Sequence, residues 1–288
     1  MFVKHVDGSI VILLLYVDDI IITGNATSAI QQVTKEFDIK DLGSLHFFLG
    51  IQISKSSKGL FLSQEKYVVD LLKKTEMMDA KPAATPCLPY NRLLKDDGHP
   101  FNNHAPYRSV VGALQYLVFT RLDIAFSVHQ VSQFMQAPMI SHFTAVKQIL
   151  RYLKGSLSHG ITYSRGELII KAFSDADWVE DPNDRRSTTG LVIFLGNNPI
   201  SWSSKKQQTV SQSSTEAEYR ALSSTAAELD WIQQLLTFLQ INFLILQFCF
   251  VIICLPLHSP SIQFNIRGPN ILRSMFILFV KGWQARSF

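Results

Sequence analysis

Apolar residues recur along this chain with two spacings, which distinguish predicted strands from predicted helices. Near the N-terminus, two β-branched apolar runs, 11–16 and 20–23, flank the tripeptide Val-Asp-Asp. Short apolar runs on either side of a turn are typical of a β-hairpin with buried strands. Three further elements are predicted before residue 80, namely a helix over 27–37, a short strand pair over 46–62 and a helix over 64–75.

The middle of the chain has helical periodicity, and the part after Gly160 returns to strands. A proline-rich linker, KPAATPCLP, precedes three apolar stretches of helical spacing between residues 107 and 155. Strands are then predicted over 166–173, 190–195 and 199–203, followed by one long helix that Ser213 or Ser214 caps. Because strands and helices are interspersed, the pattern predicts an α/β protein.

Composition changes this picture only near the C-terminus. The 288 residues, 47% of them apolar, suffice for one large or two modest domains. The net charge of +4 arises after residue 240, since no acidic residue follows Asp230, so it gives no argument for nucleic-acid binding. Three cysteines without a CxxC pair indicate neither a disulfide framework nor a zinc site. A reducing compartment, cytoplasmic or nuclear, is therefore expected over secretion.

The predicted hairpin carries two adjacent carboxylates, Asp18 and Asp19, at its tip. Aspartate is common in turns, so a polar turn would account for both residues without any function. Alternatively, both could hold Mg²⁺, a hard cation that prefers oxygen ligands and here would also bind a triphosphate. The two residues alone do not decide between these explanations.

The sequence around the hairpin resembles the reverse transcriptases of copia-type retrotransposons. The similar segments, which run to about Gln240, are LLLYVDDIIITGN, IKDLGSLHFFLGIQI, LSQEKYVVDLLKK, TPCLP and YRSVVGALQYLVFTRLDIAFSVHQVSQFM. The resemblance implies a palm subdomain in which Asp18 and Asp19 are two of three metal-binding aspartates for nucleotidyl transfer. It also implies a primer-grip region over 42–51, for whose individual residues an ordinary amphipathic hairpin is the alternative. Leu122 stands where the family usually has proline, at a cost expected to be local.

A second set of carboxylates consists of Asp175, Asp177 and Glu218. Strand alternation places Asp175 and Asp177 on the same side of a predicted strand. Glu218 precedes Leu222 by four residues on the apolar stripe of the long helix, where a metal or a donor network would offset the cost of burial. Here the chain resembles the copia-type ribonuclease H, whose first metal-binding aspartate matches Asp175 and whose helix glutamate matches Glu218. Asp177 is a further metal-ligand candidate.

Other charged residues are open to a plainer explanation. We expect Glu180 and Glu216 to lie on solvated faces. Lys147, Arg151 and Lys154 recur at i, i+4 and i+7 and so share one helix face, which could be solvated or could lie along phosphates. The resemblance favours phosphates, because it places this helix between polymerase and nuclease, where a template-primer duplex should pass.

The C-terminal sequence departs from the family. The resemblance calls for a further strand with a Cys-Asp-Asn motif and a later carboxylate, but an acid-free apolar sequence follows residue 239. One explanation is a membrane anchor over 241–257, which is slightly shorter than the roughly 20 residues of a spanning helix. The other is a frameshift, which we favour because the composition changes abruptly at a motif boundary.

Together these expectations describe an α/β chain with a truncated reverse-transcriptase palm and thumb/connection followed by an incomplete ribonuclease H-like domain. The predicted regions are a palm/thumb part (1–86), a helical connection (87–159), a partial ribonuclease H-like domain (160–240) and an aberrant, frameshifted tail (241–288). The family would act on an RNA/DNA template-primer with Mg²⁺ and without a small-molecule cofactor. With carboxylates missing from both sites, this chain alone is expected to be inactive. The alternative is a non-catalytic nucleic-acid-binding or membrane-tethered protein on the same scaffold.

Overall fold

The computed structural model describes residues 1–6, 8–17, 19–25, 27–36, 41–88, 92–96, 98–241, 244–251, 261–266 and 275–280. Its first sheet is antiparallel, in the order β1-β2-β3, and is followed by helix α1. The bounds are β1 (Phe2–Val6), β2 (Ser9–Tyr16), β3 (Asp19–Gly24) and α1 (Thr27–Glu36). The predicted hairpin is confirmed as β2–β3, whereas Asp18 lies outside the described residues.

A second antiparallel sheet, in the order β4-β5-β6-β7, joins distant parts of the chain. Its strands are β4 (Phe47–Phe48), β5 (Ile51–Ser56), β6 (Gly59–Ser63) and β7 (Ile161–Tyr163). Helix α2 (Glu65–Lys74) follows β6 directly. The boundary predicted at residue 160 would assign β7 to the C-terminal region, whereas β7 forms hydrogen bonds with β6.

The predicted helical region is confirmed and forms the largest core of the molecule together with α2. Its elements are α3 (His104–Leu117), a 3-10 helix (Leu122–Ile124), α4 (Ala125–Ser132) and α5 (Ile140–Gly155). Apolar residues at helical spacing from all four α-helices meet in this core. The Tyr107 hydroxyl, fully buried, donates to the Val131 carbonyl at 2.7 Å. Such a satisfied polar group fixes the packing of α3 against α4.

The third sheet follows the order β10-β9-β8-β11-β12-β13, and α6 packs against it. Its elements are β8 (Ile169–Asp177), β9 (Thr188–Leu195), β10 (Asn198–Lys206), α6 (Ser214–Phe238), β11 (Leu244–Val251), β12 (Ser261–Ile266) and β13 (Met275–Val280). Ser213 caps α6 by accepting the Glu216 backbone N–H, as its sequence predicted. Ala217 and Ala221, both fully buried, pack beside Ala176 and bring α6 close to β8.

The sheet continues beyond α6, where the sequence predicted an incomplete sheet. Strand β11 pairs with β8 in parallel, and β12 and β13 extend the sheet in antiparallel fashion. A continuous apolar run is typical of a buried parallel strand, which explains why a run such as LILQFCFV also resembles part of a membrane helix. Across the described residues, no helix has the length and apolar character needed to cross a membrane. The frameshift origin of the tail stays a prediction.

Helix α4 connects the helical region to the third sheet. The His129 Nε2 accepts the backbone N–H of Lys206 at 3.1 Å, and the Trp202 indole N–H donates to the Val118 carbonyl at 3.0 Å. The Asn183 amide, in the loop between β8 and β9, donates to the Leu93 carbonyl at 3.0 Å. These hydrogen bonds hold β10 against the helical region and the β8–β9 loop against the segment before α3.

Candidate functional site

The hairpin that carries the first predicted carboxylates protrudes into solvent. Tyr16 pairs with Asp19 across the turn, and Val17 adopts a left-handed φ of 50°. Tyr16 is 55% exposed and Val17 is 78% exposed. Asp19 is exposed as well. Among the described residues, which do not include Asp18, no group of three or more His, Cys, Asp or Glu side chains is arranged around Asp19 to hold a metal ion.

Asp175 and Glu218, by contrast, come together at the contact between β8 and α6. Their side chains are close enough to share a hydrogen bond, in which one protonated carboxyl donates to the other carboxylate. Burial, followed by the negative charge of Asp177, raises the pKa of Asp175. Burial, followed by the charge of Asp175, raises the pKa of Glu218 to about 7. The predicted partners thus form a pair that resists full ionisation.

Backbone geometry positions this pair. Asp175 and Asp177 are alternate residues of β8 and therefore face the same side, as predicted. The backbone N–H of Ala176 lies close to both carboxylates and lowers the pKa of each, which opposes the effect of burial. Opposite Asp175 in the neighbouring strand stands Gly190, which has no side chain to cover the carboxylate. The carboxylate pair thus lies next to a main-chain N–H of β8.

Glu180 is a third partly buried carboxylate, and nothing in the sequence indicated its burial. We expected it on a solvated face, but its Oε2 is buried without a hydrogen-bond partner among the described residues. Burial, followed by the charge of Asp177, raises the pKa of Glu180 to about 7. It follows Val179, whose φ of 57° lies in the left-handed region, and its carboxyl lies near that of Asp177. Glu216, in contrast, is a surface residue that pairs with Arg220, as expected.

These carboxylates fit a hard cation only in part. An all-oxygen set is the one that Mg²⁺ prefers, and the Oε2 of Glu218 is buried without a partner in the described structure. Such an atom is costly unless something binds it. However, no group of three or more His, Cys, Asp or Glu side chains within the described ranges is arranged to hold a metal ion. Asp175 and Glu218 are therefore the two residues best placed for one.

The basic stripe of α5 is only partly open to solvent, since Lys147 is exposed whereas Arg151 and Lys154 are partly buried. The Arg151 Nε donates to the Lys81 carbonyl, and the Lys154 Nζ donates to the Ala80 carbonyl, each at 2.7 Å. The Lys147 ammonium lies 5.2 Å from the centroid of the Phe143 ring. Two of the three predicted phosphate contacts thus hold the linker, which the helical spacing alone could not indicate.

Similarity to known proteins covers most of the chain. Residues 1–89 match the family described as reverse transcriptase (RNA-dependent DNA polymerase). The chain is 47% identical, over 84% of its length, to the retrovirus-related Pol polyprotein from transposon RE1 of Arabidopsis thaliana. A similar Pol polyprotein, from transposon TNT 1-94 of Nicotiana tabacum, is 38% identical over 82% of the chain. The chain spans only 17% and 19% of these two proteins.

Shorter relatives match it over most of their own length. An uncharacterized mitochondrial protein of Arabidopsis thaliana is 48% identical over 76% of the chain, which covers 93% of that protein. A putative transposon Ty5-1 protein of Saccharomyces cerevisiae is 32% identical over 77% of the chain, which covers 75% of it. No solved structure matches the chain significantly.

Proposed function

Because the chain belongs to the reverse transcriptase family of copia-type retrotransposon Pol polyproteins, we propose that it is a remnant of an RNA-directed DNA polymerase joined to a ribonuclease H. In this proposal the palm hairpin with Asp18 and Asp19 belongs to the polymerase, and the third sheet with α6 belongs to the nuclease. The substrate of the parent enzyme is an RNA/DNA template-primer. This chain alone is inactive in both reactions.

The nuclease half of the proposal rests on the pairing of Asp175 with Glu218. Two carboxylates from separate elements share one site, and one of their oxygens is buried without a partner. An arrangement that costs stability yet has no structural use is typical of a functional site. Mg²⁺ held there would polarise the scissile phosphate and activate a water molecule. Asp175 and Glu218 can hold a cation only when both are ionised, so binding should strengthen as pH rises through about 7.

The proposed inactivity rests on what surrounds each site. A two-metal reaction needs ions clamped from several sides, so that the reacting oxygens are aligned. The described residues contribute no such set of three ligands at either site. At the hairpin, Tyr16 and Val17 are exposed, so neither side chain shields the tip from water.

The test combines two activity assays with a binding assay on the full chain. We expect neither primer extension nor cleavage of an RNA/DNA hybrid in Mg²⁺. We nevertheless expect Mg²⁺ at ten times its dissociation constant to raise the unfolding free energy by about 1.4 kcal/mol at pH 8. Asp175→Asn should abolish this gain, whereas Glu167→Gln, at an exposed carboxylate, should retain it. Hybrid cleavage that Asp175→Asn removes would refute the proposed inactivity, and equal Mg²⁺ responses in all three proteins would refute the proposed site.

A second candidate is a non-catalytic nucleic-acid-binding protein on the same scaffold. It is favoured by the incomplete ligand set in the described part of the chain, together with Lys147, whose position is exposed. Such a protein should bind an RNA/DNA hybrid with an affinity that falls with salt and is indifferent to Mg²⁺. Fluorescence anisotropy with a labelled hybrid, with and without Mg²⁺, separates the two candidates. Binding that requires Mg²⁺ and is lost in Asp175→Asn would argue against the non-catalytic one.

A further inference from the structure

A cavity of about 580 Å³ lies where α4, α5 and the linker before α3 meet the β8–β9 loop. Its volume is in the range of small-molecule sites. The apolar part of its lining includes Met77, Leu93, Phe126, Val131, Ile149 and Pro182. The walls come from four parts of the chain, so the space exists only when the helices and the third sheet are docked together.

The charged side chains around this cavity are mainly cationic. Arg92, Lys147 and Arg151 line it from the linker and from α5, while Glu180 and Asp181 line it from the β8–β9 loop. Asp181 is already neutralised, because it forms an ion pair with the Lys206 ammonium and accepts the Asn183 backbone N–H. Glu180 lies near the Arg92 guanidinium, which offsets its charge, so Lys147 and Arg151 remain. The cavity therefore has an excess of positive charge.

We propose that this cavity binds a small organic anion with a flat apolar ring system, of the size and chemistry of a nucleoside monophosphate. The ring would lie between the apolar side chains of α4 and α5, and the anionic group would meet the cations of the linker and α5. Two of the stripe residues, Lys147 and Arg151, line this site, and Arg151 also holds the linker through its Nε. Lys154 lies outside the lining. The inference is independent of the proposed polymerase and nuclease functions.

The test is calorimetric titration of the full chain with AMP, with adenosine and inorganic phosphate as half-ligands. AMP should bind at least tenfold more tightly than either half-ligand, because the ring and the anion contribute together. Lys147→Met should weaken AMP binding about tenfold, as expected for one charged contact. Lys154→Met, a matched change on the same helix, should leave it unchanged. Asp19→Asn should also leave it unchanged, which would exclude binding at the hairpin.

A second pair of measurements locates the ligand. Ala145→Leu should fill part of the cavity without altering charge, and we expect it to weaken AMP binding. Cys87 is an exposed free thiol on the cavity wall, so AMP should slow its modification by a maleimide. Inorganic phosphate that binds as tightly as AMP would overturn the proposal in favour of a simple cationic patch. The proposal would also be overturned if Ala145→Leu bound AMP with full affinity and AMP did not protect Cys87. Binding of single-stranded DNA without binding of AMP would overturn it as well.

Discussion

The hairpin tip and the β8–α6 contact both carry predicted metal-binding carboxylates, yet their surroundings differ. Asp19 lies on an exposed turn between strands whose apolar side chains are open to solvent, such as Leu15 at 48% exposure. Asp175 and Glu218 lie over a fully buried alanine contact, and burial raises the pKa of both. The same residue types thus differ in chemistry because their environments differ. A carboxylate motif in the sequence does not reveal this difference, because the difference depends on burial.

The largest expected effect is on stability, when an apolar side chain near each site is removed. Ile193, fully buried in β9, lies in the core shared by the third sheet and α6. Ile193→Ala should reduce the unfolding free energy by about 2–5 kcal/mol, since it leaves a cavity. Leu15→Ala should cost less than about 1 kcal/mol, because an exposed residue loses little burial. Urea denaturation measures both.

Equal costs for the two substitutions would contradict the comparison. That result would mean that the hairpin face is covered in solution. Repeating the denaturation at several protein concentrations would show whether self-association covers it.

The second expected effect is a dependence of stability on pH, which only the buried site should show. The pKa of Glu218, about 7 in the folded chain, lies above its unfolded value, so its contribution to stability is complete below the unfolded pKa and is lost as pH rises through about 7. Glu218→Gln removes this loss and should stabilise the metal-free protein at pH 8 by about 1–2 kcal/mol, allowing for solvent screening of a half-exposed group. At pH 4 the variant should gain nothing. Thermal unfolding at both pH values, with Asp19→Asn as the matched change, provides the measurement.

If Asp19→Asn stabilises the protein at pH 8 as much as Glu218→Gln does, the two sites do not differ in this respect. An equal gain by Glu218→Gln at both pH values would instead show that the effect does not arise from ionisation. Either result would leave the proposed cation site without its electrostatic support.

The third effect lies at the contact between α4 and β10. Burial, followed by the charges of Lys206 and Lys205, lowers the pKa of His129, while Asp181 opposes them. Its neutral ring accepts the Lys206 backbone N–H, so stability is present above the unfolded pKa and should fall as the solution is acidified through the lowered folded pKa. The loss should be about 1 kcal/mol, the worth of that hydrogen bond.

Chemical denaturation between pH 7 and pH 5 tests the role of His129. His129→Gln should flatten the acid loss, whereas His46→Gln, at an exposed histidine, should not. An unchanged pH profile in His129→Gln would assign the acid sensitivity to other groups.

The smallest expected effect on stability arises in the helical region, which lies between the two sites in the sequence. Leu122 is 42% exposed and is the first residue of the 3-10 helix that follows the buried Arg121. Proline is favoured at a first helical position, because its φ is preset and the backbone N–H there needs no helical partner. Leu122→Pro should therefore stabilise the fold by about 0.5 kcal/mol, and Leu122→Ala should not. A destabilised proline variant would show that Leu122 makes a contact that proline cannot replace.

Much of the fold was predictable because it depends on local periodicity. The β2–β3 hairpin, the helices α3 to α5 and the Ser213 cap of α6 all follow from residue spacing within single segments. The pairing of β7 with β6 was not predictable in this way, because it joins segments on opposite sides of the helical region. The apolar run of β11 was ambiguous for another reason, since a buried strand and part of a membrane helix share the same composition.

The candidate site was predictable only where a local sequence pattern marked its residues. Asp175 and Glu218 were identified because one ends a strand run and the other interrupts an apolar helix stripe, and the structure brings them together. Glu180 was missed because a carboxylate in a polar turn gives no local sign of burial. Arg151 gives no sign of its role either, since its partner is the carbonyl of Lys81, far away in the sequence. Tertiary contacts of this kind need a structure.

The pairing of β6 with β7 also constrains the order in which the chain can fold during synthesis. The edge of β6 stays without its partner until the whole helical region has left the ribosome, because β7 follows α5. Contacts between such distant segments form slowly, since the intervening loop must close first. An unpaired strand edge is prone to pair with other chains in the meantime. Ribosome-bound nascent chains that end just before Ile161 should therefore depend most on chaperones.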